Sequence, residues 1–96
     1  MTSPYFSVII PMFNAIGSLA PTVASVLEQS DPDFELIIVD DGSADNSLAV
    51  ALAMASFDNR IRVVSQNNGG PAKARNLGIE LARGTLLAFL DADDIW

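Results

Sequence analysis

The sequence predicts an α/β fold, a parallel sheet of four strands in the order 3-2-1-4 with helices on both faces. Short apolar or β-branched runs alternate along the chain with segments of helical periodicity, as in right-handed β-α-β crossovers. Two of the apolar runs also stop abruptly at acidic residues. Charges at the carboxyl ends of buried parallel strands lie where open α/β sheets bind ligands.

The strands are predicted from apolar runs that end at polar or turn-forming residues. They cover residues 6–10, 34–39, 61–65 and 85–90. Pro11 ends the first run because it cannot donate to a strand ladder. The chain reverses direction between the first and fourth strands, so the crevice there is the expected ligand site. Residues 11–14, 40–41 and 91–94 would line this crevice.

The helices are predicted from apolar residues at helical spacing, over residues 18–29, 44–55 and about 70–82. Ser43 is a suitable N-cap for the second helix, which is apolar enough to be a buried helix. The third opens at the segment Gly69-Gly70-Pro71. Gly84 follows it in the position that favours a left-handed cap.

The acidic strand ends favour a ligand or cation site. If Asp40 and Asp41 come within ~6 Å of Asp91, Asp93 and Asp94, each carboxylate pair repels by roughly 2–3 kcal/mol at an effective dielectric of ~20. A bound cation or a hydrogen-bonding ligand relieves that repulsion, and so does splaying into solvent. Oxygen ligands without His or Cys favour Mg²⁺ or Mn²⁺ over zinc. The alternative is a pair of solvated acidic turns, since Asp favours turns.

Composition excludes several function classes. The net charge is −7 and no basic stripe is present, which disfavours nucleic-acid binding. The chain has no Cys and no His, so disulfides, thiolate metal sites and an imidazole base are excluded. No signal peptide is recognisable, and no apolar run approaches the ~20 residues of a membrane span.

Four motifs occur in a characteristic order, over residues 7–14, 34–43, 68–78 and 89–94. Together they resemble the nucleotide-sugar-binding part of a family 2 glycosyltransferase with the GT-A fold, a three-layer Rossmann-like architecture. The resemblance covers nearly the whole chain. It implies that residues 1–96 form the donor-binding part of a catalytic domain truncated at its C-terminal end.

The resemblance implies a nucleobase site at the ends of the first two strands. Phe13 would stack on the base, Pro11 would leave its carbonyl free to meet it, and Asn14 would belong to the same site. Asp41 corresponds to the family's base-reading carboxylate, an acceptor that suits uracil or guanine. Asp40 would hold the loop or the ribose. A core aromatic and turn acids are the alternative interpretations.

The resemblance also implies a diphosphate and metal site. Arg75 would pair with the diphosphate or hold Asp91, because both need a planar guanidinium. Asp91 and Asp93 correspond to the family's Asp-x-Asp, in which Asp91 touches ribose or metal and Asp93 binds Mn²⁺ or Mg²⁺ directly. The cation would bridge the diphosphate and stabilise the departing nucleoside diphosphate.

The implied activity is transfer of a sugar from a nucleotide diphosphate sugar, most simply a UDP-sugar, to an acceptor hydroxyl with inversion. The acceptor hydroxyl belongs to a sugar, a lipid or a protein. The general base is expected in the missing part, so the fragment alone should be inactive. We expect a cytoplasmic protein, and membrane association of its full-length form stays open. The apolar edge at residues 85–90 predicts self-association.

Two other classes fit parts of the pattern. A haloacid-dehalogenase-type phosphohydrolase also has an apolar strand followed by Asp-x-Asp. Its motif requires Thr or Val two residues after the second Asp, where this chain has Asp94 followed by Ile95. A phosphoacceptor receiver domain would place its acidic pair after the first strand, yet residues 6–10 precede Asp40 and Asp41.

Overall fold

The computed structural model describes residues 5–28 and 33–90. These residues form a four-stranded parallel sheet of order β3-β2-β1-β4, which confirms the predicted order. In chain order the elements are β1 (Phe6–Met12), α1 (Leu19–Leu27), β2 (Phe34–Asp40), α2 (Ser47–Phe57), β3 (Ile61–Ser65), α3 (Pro71–Leu81) and β4 (Leu86–Phe89).

Strand β1 extends two residues beyond its predicted end, because Pro11 does not interrupt its pairing with β2. Pro11 lies opposite Val39 and Met12 opposite Asp40. The Ile9 carbonyl accepts from Leu90 on the β4 side of the strand. Backbone groups of alternate residues point to the same side of a strand, so the nitrogen of Pro11 also faces β4. The hydrogen bonds between β1 and β2 therefore lose no donor at Pro11.

The sheet separates two apolar layers, one under α1 and α2 and the other under α3. Leu36 and Ile38 belong to the first layer, and Ile37 and Val39 to the second. Every residue of β2 is buried, as expected for a central strand covered on both faces. This rigid strand supports the acidic pair at its carboxyl end.

Two helix predictions are wrong in detail. Helix α2 begins at Ser47 with Asn46 as N-cap, not after Ser43, because residues 43–45 are bound by the loop that follows β1. The helix is also one-sided, since Leu52 is 52% and Phe57 is 92% exposed. The prediction of a buried helix overlooked that only one face meets the sheet.

Gly84 does not form the predicted left-handed cap. Within the described ranges, the glycines with positive φ are Gly42 and Gly70. Gly84 instead passes so close to β1 that a Cβ would lie 2.6 Å from the Ser7 nitrogen. A glycine is needed here for space. No helix in residues 5–28 or 33–90 is long and apolar enough to cross a membrane.

Candidate functional site

The loops that follow β1, β2 and β3 converge at the carboxyl ends of the strands. The first loop contains Asn14, the second follows Asp41, and the third leads through Asn68 to helix α3. Hydrogen bonds join the first loop to the second and the second to the third. This linked set of loops is the candidate functional site.

Asp41 is the centre of the hydrogen-bond network at this site. Its Oδ1 accepts from the Gln66 side-chain amide at 2.7 Å and from the Gly69 backbone at 2.8 Å, and its Oδ2 accepts from the Gly70 backbone at 2.9 Å. The Asp41 backbone N–H donates to the Met12 carbonyl at 2.8 Å. The residue is fully buried. Its carboxylate therefore ties β2 to the amino end of α3, where negative charge is favourable.

Asp40 points to a different part of the site. Its Oδ1 accepts from the Ser43 backbone at 3.2 Å and its Oδ2 from the Ser65 hydroxyl at 3.3 Å. It borders an open, largely polar cavity of about 620 Å³ between the loops that follow β2 and β3, also lined by Ser43, Leu48, Gln66 and Asn68. The expectation that Asp40 holds the loop is consistent with these two bonds.

Asn14 fastens the loop after β1 to the loop after β2. Its side-chain oxygen accepts from the Ala44 backbone at 2.8 Å, and its own N–H donates to the Ser43 hydroxyl at 3.0 Å. Its φ of 50° places it in the left-handed region, which Asn tolerates better than most residues. Here Asn14 organises the site, and a direct contact between Asn14 and a ligand stays a prediction.

A second polar link, between Asp45 and Ser47, was not foreseen from the sequence. The Ser47 hydroxyl donates to Asp45 and accepts from the Ala15 N–H at 2.8 Å. The Asp45 carboxylate also accepts from the Ile16 N–H at 3.3 Å. Burial opposes charge on Asp45, but these hydrogen bonds outweigh it and lower its pKa. The Ser-Ala-Asp-Asn-Ser run is a local turn signal, but it does not reveal the partner loop.

The other predicted site residues lie around this network. Pro11 is buried under the site and Phe13 is partly buried at the exit of β1. Arg75 is partly buried in α3, whereas Lys73 is exposed on it. Asp41 brings the amino end of this helix to the end of β2.

The predicted metal ligands Asp91 and Asp93 lie outside the described residues, as does Asp94. The strand that precedes them is described to Leu90, whose N–H donates to the Ile9 carbonyl at 3.0 Å. Within residues 5–28 and 33–90, no group of three or more acidic side chains could hold a metal ion. Asp40 and Asp41 both accept hydrogen bonds from protein donors, and a cation site built on Asp91 and Asp93 stays a prediction.

Comparison with known proteins identifies the family. The model of Glycosyl transferase family 2 matches residues 7–96. The chain belongs to this family. Among curated relatives, it is 45% identical over 91 residues to the uncharacterized glycosyltransferase EpsJ of Bacillus subtilis. The matched region covers 95% of this chain and 26% of EpsJ. It is 47% identical over 94 residues to the putative teichuronic acid biosynthesis glycosyltransferase TuaG of Bacillus subtilis, over 97% of this chain and 37% of TuaG.

Solved structures share the fold of this family 2 domain. S. aureus TarS 1-349 in complex with UDP-GlcNAc matches with a TM-score of 0.85 and 32% identity, over 93% of this chain and 26% of that one. The mannosyltransferase PcManGT from Pyrobaculum calidifontis, in complex with GDP-Man and Mn²⁺, matches with a TM-score of 0.86 and 25% identity, over 100% of this chain and 29% of that one. These matches confirm the GT-A fold. The chain thus spans between a quarter and two fifths of the length of these proteins.

Proposed function

We propose that this chain is the donor-binding part of a glycosyltransferase that transfers a sugar from a UDP-sugar to an acceptor hydroxyl, with inversion and with a divalent cation. The observation that carries the proposal is the similarity, over nearly the whole chain, to TarS in complex with UDP-GlcNAc. The linked loops at the carboxyl ends of β1 and β2 support it, because ligands of open α/β sheets bind there. The acceptor site and general base would lie outside this chain.

The Asp41 network supports a specific way of reading the nucleobase. Of its three donors, Gly69 and Gly70 are backbone amides, whereas Gln66 contributes a side-chain amide. Only the Gln66 side chain can leave by rotating about its own bonds. We infer that a nucleobase N–H replaces the Gln66 amide on Oδ1, which gives the buried carboxylate direct contact with the base.

This exchange favours uracil over guanine. Uracil presents one N–H between two carbonyls, so it matches the single donor position that Gln66 vacates. Guanine presents two adjacent donors, so it would have to engage Oδ2 beside the Gly70 amide as well as Oδ1, whereas uracil needs only the vacated position. Phe13, partly buried at the exit of β1, would supply the stacking surface.

Binding of the diphosphate requires positively charged side chains or a cation, because the backbone amides at the start of α3 are largely engaged by Asp41. The Gly69 and Gly70 amides already donate to Asp41, so the helix cannot offer them to a phosphate. Arg75 would meet the diphosphate through its planar fork, with Lys73 as a less directional aid. Asp91 and Asp93 would hold Mn²⁺ or Mg²⁺, which when bound stabilises negative charge on the leaving nucleoside diphosphate.

Calorimetry with UDP tests the proposal. We expect the chain to bind UDP with Mn²⁺ or Mg²⁺ and not without, because the acidic strand ends repel an anion that lacks a bridging cation. Asp93→Asn should abolish binding. Glu80→Gln, which removes one negative charge from an exposed position on α3, should not. Equal binding without metal would refute the cation site, and no binding with metal would refute the donor site.

Three further measurements separate the alternatives. UDP should bind more tightly than GDP, and Gln66→Ala should bind UDP no more weakly than the unmodified chain, since the amide only competes with the base. Weaker binding by Gln66→Ala would mean that Gln66 itself contacts the nucleotide.

The chain should not hydrolyse small phosphomonoesters with Mg²⁺. Hydrolysis abolished by Asp91→Asn would support the phosphohydrolase class instead.

A further inference from the structure

The amino end of the sheet contains a buried carboxylate that belongs to no part of the proposed donor site. Glu35 is the second residue of β2, and its side chain is 4% exposed. Its Oε2 accepts from the Ser7 hydroxyl at 2.6 Å and from the Arg83 backbone N–H. Its Oε1 accepts from the Arg62 guanidinium at 3.1 Å. A central strand position normally carries an apolar side chain, so this carboxylate requires an explanation.

The contacts of Glu35 converge on the segment that leads into β4. Ser7, besides donating to Glu35, accepts from the Gly84 N–H at 2.7 Å. The Arg83 guanidinium lies 3.5 Å from the Glu35 carboxylate. We call the group Ser7, Glu35, Arg62, Arg83 and Gly84 the Glu35 clasp. It joins β1, β2 and β3 to Arg83 and Gly84 in the segment that precedes β4.

Strand β4 has little else to define its position among the described residues. It comprises four residues, Leu86–Phe89, and it pairs with β1 alone. Successive side chains on its opposite faces are equally exposed, Leu86 at 44% and Leu87 at 43%. A slip by one residue exchanges the two faces of a strand, and apolar burial opposes it only where one face is buried more than the other. Apolar burial therefore discriminates weakly between registers of β4.

We propose that the Glu35 clasp sets the register of β4 against β1, and that Glu35 thereby acts as a positioning residue for donor and cation binding. The second part rests on the proposed function, because the acidic segment that begins at Asp91 follows this strand directly. A slip by one residue displaces a strand by ~3.3 Å along its axis. Such a displacement exceeds what a cation site with ligand distances of about 2.0–2.1 Å tolerates.

Geometry at Gly84 strengthens the assignment. A Cβ there would lie 2.6 Å from the Phe6 carbonyl carbon and from the Ser7 nitrogen and hydroxyl oxygen. A slip by one residue would bring Arg83 or Thr85 into this place, and either brings a Cβ into a gap that admits none. The clasp thus combines attraction to the correct register with steric exclusion of its neighbours. Burial opposes charge on Glu35, but its hydrogen bonds outweigh this and lower its pKa, which keeps it charged.

Glu35→Gln tests the clasp, because an amide keeps the shape of the side chain and removes its charge. The matched control is Asp58→Asn, since Asp58 pairs with Arg60 at 2.7 Å near the same end of the sheet without touching β4. Amide hydrogen exchange is read at Leu86 and Leu90, which donate to Tyr5 and Ile9, and at Leu36 of β2, which donates to Arg60. UDP affinity with Mn²⁺ is measured on the same samples.

In Glu35→Gln we expect the exchange rates at Leu86 and Leu90 to rise about tenfold more than the rate at Leu36. Mn²⁺-dependent UDP binding should weaken about tenfold, which corresponds to about 1.4 kcal/mol. Asp58→Asn should change neither the exchange rates at Leu86 and Leu90 relative to Leu36 nor the UDP affinity. Equal acceleration at all three amides would overturn the proposal, since it would indicate general destabilisation. Selective β4 exchange with unchanged UDP affinity would overturn the positioning role.

A second variant and one further outcome complete the test. Ser7→Ala removes the hydroxyl that joins Glu35 to Gly84, and it should reproduce the selective exchange if Glu35→Gln does not fold. If the unmodified chain binds no UDP with Mn²⁺, the proposed function fails and with it the positioning role. Exchange at β4 would then still decide whether the clasp sets the strand register.

Discussion

Replacing Asp41 by Asn should destabilise the fold far more than the same change at its neighbour Asp40. In Asp41→Asn, the amide oxygen can keep the Gln66 and Gly69 donors on one side. The new NH₂ group must then face the Gly70 N–H, which now lies 2.9 Å from Oδ2. Two donors cannot satisfy each other, and the side chain at position 41 is fully buried, so its NH₂ group cannot turn to solvent.

The magnitude follows from these contacts. A buried donor left without a partner costs ~1–3 kcal/mol, and two bonds that lose charge assistance cost roughly 0.5–1 kcal/mol each. The free energy of unfolding should therefore fall by about 2–5 kcal/mol. In Asp40→Asn, the amide oxygen keeps the Ser43 N–H, and the Ser65 hydroxyl can rotate to accept from the NH₂. That variant should lose under ~1 kcal/mol.

Urea unfolding followed by circular dichroism measures the difference. With a slope of about 1–3 kcal/mol per molar for a small domain, the midpoint of Asp41→Asn should fall below that of Asp40→Asn by roughly 1–3 M. Equal midpoints for the two variants would refute the assignment of Asp41 as the residue that ties α3 to β2. A larger loss in Asp40→Asn would show that the roles of the pair are reversed.

Three other predictions concern acid stability, backbone packing and association. The pKa of Glu35 lies below its ordinary value of 4.5, so its contribution to stability is present above that value and is lost as the pH falls through the folded-state pKa; Glu35→Gln should lose less unfolding free energy between neutral and acidic pH, and identical urea midpoint losses would contradict this. Gly84→Ala should cost about 1–3 kcal/mol because its Cβ would overlap the backbone of β1, whereas Gly17→Ala, with no atom within 4 Å of its Cβ, should be neutral or slightly stabilising in the same assay; equal effects would argue against the close approach. The chain should self-associate through β4, and Phe89→Lys should reduce the scattered mass while Leu52→Lys on α2 should not; a monomer at high concentration would refute this prediction.

The strand order, and the edge of the sheet at which the candidate site lies, were predictable from the sequence. Alternating apolar runs and helical segments leave few topologies once crossovers must be right-handed, and order 3-2-1-4 was confirmed. The acidic ends of two apolar runs indicated the carboxyl edge of the sheet. These features are local, or they follow from a rule that applies to all parallel sheets. For the same reason, the motif resemblance identified the family correctly.

Local patterns misled where a distant segment competes for the same groups. Ser43 has a good N-cap composition, but its hydroxyl accepts from Asn14, and helix α2 begins at Ser47. Gly84 follows a helix as a left-handed cap would, yet its role is to let the chain pass close to β1. Neither outcome can be derived from neighbouring residues, because in each case the deciding atom belongs to another loop or strand.

The sequence alone determined which residue types reach the carboxyl edge of the sheet and what chemistry they offer. Only the tertiary structure decided how they are used. Asp41 accepts from residues 25 to 29 positions away, and Glu35 reaches 48 positions to Arg83. Local patterns record the preferences of single segments. The partner of a buried carboxylate is decided by which loops the packed sheet brings together, because only there is water excluded and a protein donor required.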